Sequence, residues 1–388
     1  MNANWNYPTA IRVGAERLSE LGECCRDLDM RSPLLVTDPG LATLPMVGQA
    51  RDACADAGLV CQVFSEIQPN PTGTNVDAGV SAFNQGGHDG VIALGGGSAL
   101  DAGKAIALMA RQSVSLWDLE DVGDNWTRAD ASLIAPIVAV PTTAGTGSEV
   151  GRASVILDEA REVKKIIFHP LMMPQIVILD PVVTVGLPAA LTGATGMDAL
   201  SHSLEAWCSP AYHPMAEGIA IEGIRLVREF LPQAVADGSD LEARTQMLVA
   251  STMGATAFQR GLGAMHALAH PLGALYNAHH GTLNAVLMPY VLQANRLVIE
   301  ARITRLARAI GIANPGFDTF LDWILQLRET LQIAPDLAAL GIDDSEAARI
   351  GEMAKADPSS GTNPLPFSAS EYQALFLRAL NGNLEAGA

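Results

Sequence analysis

Charge is scarce in this 388-residue sequence: Asp, Glu, Lys and Arg make up 17% of it, and no block of lysine or arginine occurs. The formal net charge is −18. A surface of that sign repels phosphate backbones and anionic lipids, so neither nucleic acid nor membrane is an expected partner. No apolar run reaches the roughly 18 residues of a membrane span. The start, MNANWNYPTAIRVG, lacks a basic cluster followed by an apolar run and is not read as a signal peptide. The five cysteines (Cys24, Cys25, Cys54, Cys61, Cys208) form no CxxC pair and no even framework. Reduced thiols in a cytoplasmic protein are the simplest reading.

What is present is apolar, 49% of the residues, in a chain long enough for two domains. The first half alternates short β-rich runs with helical stretches. LLVTD (34–38), VCQVF (60–64), VIALGG (91–96), PIVAVPT (136–142) and IVILD (176–180) read as strands, and 73–85 and 98–111 as helices. ASVIL (153–157) reads as an additional hairpin strand. This rhythm predicts an α/β domain with a largely parallel sheet over residues 1–185. From about residue 188 apolar positions recur at helical spacing, and 186–388 reads as an all-helical domain. GLPAALTG (186–193) supplies the Pro and Gly of a junction.

VIALGGGSALDAGKAIAL is an apolar strand, a glycine triplet and a helix. Glycines admit close backbone approach, and a helix N-terminus offers free N–H groups to a phosphate. It is not a Walker loop, which needs Gly at Ser98 and Ser or Thr at Ala105, and it is not GxGxxG. PTTAGTGSE (141–149) adds Thr142, Thr143, Thr146 and Ser148 after another strand. Two such loops beyond the carboxyl ends of parallel strands point to a nucleotide. Asp38 ends LLVTD. It stands as either a ribose acceptor that repels a 2′-phosphate or the turn-former of TDPG, and both readings are open.

Four of the eight histidines, His266, His270, His279 and His280, fall within GAMHALAHPLGALYNAHHG (263–281). Asp198 and His202, four apart in GMDALSHSLEAW, share a helix face. Alone, that pair reads first as a hydrogen bond. With the histidine-rich segment added, a metal site becomes the stronger reading. Imidazoles and a carboxylate without thiolate suit Fe²⁺ or Zn²⁺, whereas structural zinc favours cysteines. Pro271 disfavours straight helix at His270 and so separates its role from that of His266. His213, in SPAYHP, is read as incidental.

Together these segments, with VTDPGL, PNPT and NAVLMPYVL, resemble the iron-dependent (group III) alcohol dehydrogenases along nearly the whole chain. The resemblance implies a dehydroquinate synthase-like fold: an N-terminal dinucleotide-binding domain and a C-terminal helical metal-binding domain. It implies a metal held by Asp198, His202, His266 and His280, with His270 catalytic and facing nicotinamide and substrate. It places Gly96, Gly97 and Ser98 at the pyrophosphate. Asn70, Thr142, Thr143, Thr146 and Lys164 line the rest of an NAD, with Lys165 able to replace Lys164. His279 carries no implied role. The implied reaction passes hydride between a primary alcohol or small diol and NAD, with Fe²⁺, or Zn²⁺ in its place, polarising the substrate oxygen. A small-molecule substrate and a homo-oligomer, dimer or larger, are expected.

Gly151 stands where the family commonly has Thr, and NPLP (363–366) where NPR is frequent, which leaves the substrate open. The rivals are a zinc-dependent polyol dehydrogenase of the same fold, a metal-dependent hydrolase or lyase, and a non-catalytic nucleotide-binding module. The chain lacks HExxH, and a hydrolase leaves both glycine-rich loops unexplained.

Overall fold

The computed structural model describes Tyr7 and residues 9–384. Residues 1–6 of the opening stretch, read above as no signal peptide, lie outside them. Two compact units form, residues 7–186 and the chain from Leu187 onward.

The first unit contains eight strands: β1 (Ala10–Val13), β2 (Pro33–Val36), β3 (Gln62–Phe64), β4 (Gly90–Gly95), β5 (Ile137–Pro141), β6 (Ala153–Asp158), β7 (Val163–Phe168) and β8 (Ile176–Leu179). Six of them make one sheet in the order β1-β8-β5-β4-β2-β3, every pair parallel. β6 and β7 form a separate antiparallel hairpin. Its helices are α1 (Leu21–Asp27), α2 (Pro45–Asp56), α3 (Gly73–Gln85) and α4 (Gly97–Met109). The central strands are buried along their whole length, as sheets covered on both faces require. A Cβ on Gly103 would sit 2.7 Å from the Ala93 side chain, so only glycine lets α4 pack this closely on β4.

All five expected strands form, although the run from Val60 becomes a strand only over Gln62–Phe64. Helix α3 spans the expected 73–85, fixed by a reciprocal cap between Thr72 and Asn75. Two strands were not expected. β1 is four residues on the sheet's edge, and β7 hides its apolar content behind Lys164 and Lys165. From β2 the chain steps outward to β3, then crosses back to β4 on the other side of β2. That reversal makes the carboxyl ends of β2 and β4 the place where this kind of sheet opens to a ligand.

The second unit is helical, with no strand among its described residues: α5 (Ala189–Cys208), α6 (Pro214–Ala236), α7 (Leu241–Ala257), α8 (Ala264–Tyr276), α9 (His280–Ala309), α10 (Phe317–Thr330), α11 (Ala347–Ala356) and α12 (Ala369–Leu380). Among all described residues, no helix is long and apolar enough to cross a membrane. α5 is buried almost all round and packs on α6, α7 and α9. α8 runs on through Pro271, which removes the N–H that would bond the Ala267 carbonyl. It ends on Asn277 in the left-handed region, φ 50°. His279 then caps α9, its Nδ1 accepting from the Thr282 N–H at 3.3 Å.

The start of α9 lies hard against α5. A Cβ on Gly281 would fall 2.4 Å from the Ala194 carbonyl oxygen. Gly281→Ala should therefore lower the stability of the helical unit by about 1–3 kcal/mol in urea unfolding. Gly218→Ala, on an exposed face of α6 with nothing within 4 Å, should be neutral or stabilising by under about 1 kcal/mol. Equal effects of the two substitutions would contradict this packing.

Candidate functional site

Spacing on three helices gathers the polar residues of the second unit. Asp198, His202 and Glu205 follow one another by four and three residues along α5 and so share a face. α8 adds His266 and His270, and α9 adds His280 and Asn284. Asp198, His202, Glu205, His266 and Asn284 are all at least 96% buried. One ligand atom each from Asp198, His202 and His266 lies within 4.8 Å of the others. His280 Nε2 is 3.7 Å from Asp198 Oδ1. Asp198 Oδ1 and His202 Nε2 are 4.0 Å apart, too far for the hydrogen bond that their spacing first suggested. Two ligands facing one point suit that separation better.

Asn284 tests whether these donors fit a cation. Its Nδ2 lies 2.8 Å from Asp198 Oδ1 and 3.2 Å from Nε2 of both His266 and His280. An amide nitrogen carries two hydrogens and cannot satisfy three acceptors. Its Oδ1, buried beside it, has no partner. Lone pairs are thus in excess at one buried point, and one carboxylate with neutral imidazoles is the donor set of a divalent first-row ion. Burial pushes the Asp198 carboxyl up, but the facing His202, His280 and His266 and the Asn284 amide outweigh it and hold it at about 2. It is a carboxylate at neutral pH.

Glu205 supports this cluster from behind. Its carboxylate accepts from the Gly263 and Met265 N–H groups at 2.8 and 2.7 Å, and its Oε2 lies 2.7 Å from His266 Nδ1. The contact keeps a proton on Nδ1 and leaves the Nε2 lone pair for the cluster. Burial lowers the His266 pKa, yet the Glu205 charge and hydrogen bond raise it overall. Glu205 and Asn284 escaped the sequence reading. Both carried a signal, since each continues a helical stripe begun by a named ligand, His202 to Glu205 and His280 to Asn284.

His270 has a carboxylate partner of its own. Its Nδ1 is 2.7 Å from Asp357 Oδ2, and its ring stacks on that of His280 with centroids 5.5 Å apart and planes at 11°. His279 caps α9. His213, read as incidental, caps α6, its Nδ1 accepting from the Ala216 N–H.

In the first unit the glycine loop and its neighbours meet at the ends of β2, β4 and β5. Gly96 caps α4, and Gly97 and Ser98 open it, so their N–H groups have no helical partner. The Thr142 N–H bonds the Gly95 carbonyl at 3.0 Å. A Cβ on Gly96 would stand 3.5 Å from Thr143 Oγ1, and one on Gly97 2.6 Å from Thr146 Cγ2, so both threonines border the loop. Asp38 is a turn-former: its Oδ1 accepts from the Gly40 and Leu41 N–H groups at 2.9 and 3.0 Å. Its Oδ2 still faces the loop, 3.8 Å from where a Gly95 Cβ would be. The two readings of Asp38 are compatible. Asn70, at φ 56°, accepts from Lys164 Nζ at 2.7 Å, while Lys165 pairs with Glu120 instead. Burial lowers the Lys164 pKa to about 8.

Ser148 is drawn away from this rim. Its Oγ donates to Asp101 Oδ1 at 2.5 Å, and Asp101 Oδ2 accepts from the Val155 N–H of the hairpin at 2.9 Å.

The family model of iron-containing alcohol dehydrogenases matches residues 8–181, and that of the family's C-terminal region matches residues 192–380. The chain belongs to the iron-containing alcohol dehydrogenase family. It is 37% identical to the 4-hydroxybutyrate dehydrogenase of Cupriavidus necator, over 96% of this chain and 99% of that protein. The crystal structure of a 1,3-propanediol oxidoreductase superposes with a TM-score of 0.93 at 35% identity, covering 98% of this chain and all of that one. A sulfoacetaldehyde reductase from Bifidobacterium kashiwanohense, solved in complex with NAD⁺, superposes at 0.89 with 29% identity, covering 98% and 99%. Membership of this oxidoreductase family leaves the hydrolase and the silent nucleotide module without support.

The hydrogen bond from Glu205 makes a direct prediction. Glu205→Gln should weaken divalent-metal binding by about 10–100-fold, measured by competition with a chromophoric chelator. Unchanged affinity would mean that Glu205 serves packing alone.

Proposed function

We propose that this alcohol dehydrogenase interconverts a primary alcohol or small diol and its aldehyde with NAD(H), using one Fe²⁺ held by Asp198, His202, His266 and His280. The observation that carries the reading is the convergence of Asp198, His266 and His280 on a single buried point marked by the over-subscribed Asn284 amide. The free thiols support a cytoplasmic location.

A divalent ion bound there supplies polarisation of the substrate oxygen. The nicotinamide supplies the acceptor or donor of hydride. The chain's own residues bind, orient and move a proton. Gly96, Gly97 and Ser98 offer N–H groups and the positive end of α4 to the pyrophosphate. Thr142, Thr143 and Thr146 add hydroxyls at the rim of the same loop. Asp38 Oδ2 accepts from the adenosine ribose and disfavours a 2′-phosphate. Lys164, oriented by Asn70, adds a cation to the dinucleotide site. His270 takes the proton that an alcohol loses on oxidation and returns it on reduction.

The testing experiment is a panel of short alcohols, diols and aldehydes with iron-reconstituted protein, followed by nicotinamide absorbance. Turnover of at least one primary alcohol or aldehyde with NAD(H) is expected, and a silent panel would contradict the reading. Asp38→Gly should narrow or reverse the NAD-over-NADP ratio of kcat/KM, and an unchanged ratio would remove Asp38 from the ribose site.

Lys164 sets a pH dependence. With its pKa lowered to about 8, the side chain is charged below that value and neutral above it. NAD affinity should therefore fall as pH rises from 7 to 9, and Lys164→Met should flatten that profile. Calorimetric titrations of both proteins at the two pH values provide the check.

A further inference from the structure

We propose that Asp357 is a positioning residue for the reaction: it holds His270 as the Nδ1–H tautomer, so that the Nε2 lone pair is the one available to the alcohol proton. This rests on the reading of His270 as the proton-handling group.

Asp357 is fixed at both oxygens. Oδ1 accepts from the Ser359 N–H at 2.8 Å, capping the short turn Pro358–Thr362 that follows α11. Oδ2 is thereby aimed at α8, where it meets His270 Nδ1 at 2.7 Å. The two side chains are 15% and 12% exposed, shielded from bulk water without being sealed from it. With the Ser359 N–H at Oδ1 and a ring nitrogen at Oδ2, both oxygens of Asp357 are placed as acceptors. An ionised carboxylate only accepts hydrogen bonds. The hydrogen of this contact therefore sits on Nδ1, and Nε2 is the ring nitrogen that the carboxylate leaves for another partner. The same contact fixes the ring plane, which stacks on His280 and lies edge-on to His266 at 5.9 Å.

The comparison with His266 sharpens the assignment. Both imidazoles stand on α8, about one turn apart, and both have Nδ1 at 2.7 Å from a carboxylate. Nε2 of His266 faces Asn284 inside the buried donor cluster. His270 turns its Nδ1 to Asp357 instead. One helix thus carries two carboxylate–imidazole pairs, Glu205–His266 for the ion and Asp357–His270 for the proton.

Asp357→Asn separates this role from simple capping. Asn caps a turn as well as Asp does and has the same size, so the Ser359 bond survives. Its amide can instead present hydrogen to Nδ1 and release the ring to the other tautomer. Metal content, NAD affinity and substrate KM should stay within about threefold, while kcat falls by about 10²–10⁴-fold. In the His270→Ala background the same substitution should cause no further loss in kcat. Imidazole ¹⁵N shifts of zinc-loaded, ¹⁵N-histidine-labelled protein supply a readout apart from turnover. The ring whose signals vanish in His270→Ala should show a protonated Nδ1 and a bare Nε2, and Asp357→Asn should lose that preference. A kcat within threefold of the parent, an additive loss in His270→Ala, or a parent ring protonated on Nε2 alone would each overturn the proposal. The last result decides even if Asp357→Asn does not fold. If His270→Ala itself keeps full turnover, the reading of His270 fails, and the ¹⁵N pattern reports on the pairing separately.

Discussion

The helical unit depends on one buried carboxylate. Glu205 leaves α5 to accept from the Gly263 N–H just before α8, from the Met265 N–H in its first turn, and from His266. Gly263 has no side chain to cap its own helix, and a Cβ there would fall 2.9 Å from Glu205 Oε1. The cap therefore arrives from a neighbouring helix. A buried charge is tolerated only when fully hydrogen-bonded, and here three donors surround it. The Ala264 N–H between them is taken by Asn363 Oδ1 at 3.0 Å, the Asn of NPLP. Once the start of α8 is locked in this way, the direction of His266 and, a turn later, of His270 follows from helix geometry.

A comparable constraint operates in the sheet unit. Asp101, on the first turns of α4, ties that helix to the threonine loop through Ser148, and to the hairpin through the Val155 N–H and its own carbonyl, which accepts from Ser154 Oγ at 2.8 Å. Lys104, fully buried, adds hydrogen bonds to Asp101 and the Ala153 carbonyl, and burial lowers its pKa. The glycine-loop helix, the threonine loop and strand β6 are thus tied through one half-buried carboxylate. Asp101 and Lys104 sit in the stretch GGGSALDAGK, which reads in sequence as a candidate phosphate loop, with no local signal for the clamp behind it.

What could be read in the sequence followed distance along the chain. The buried strands β4, β5 and β8 are apolar runs closed by turns, and α3 announces its cap, so local pattern sufficed. β1 was too short and β7 too charged for pattern to reveal them. Asp198 with His202, and His266 with His280, lie within single segments and were legible. Glu205 and Asn284 repeat the same helical spacing and were within reach. Asp357 was not: it is 87 residues from His270, follows a different helix, and nothing local in KADPSS separates it from a turn-forming Asp. The same limit applied to Lys164 and Lys165, adjacent in sequence, which only the pairing with Asn70 and Glu120 distinguishes.

The proposed ion on Asp198, His202, His266 and His280 is open to direct measurement. Metal content and NADH formation should be followed together, anaerobically, as the ion is chelated and Fe²⁺ is added back. Activity should disappear with the ion and return in proportion to iron, reaching its ceiling at about one equivalent per chain. Full activity in demonstrably metal-free protein would contradict it.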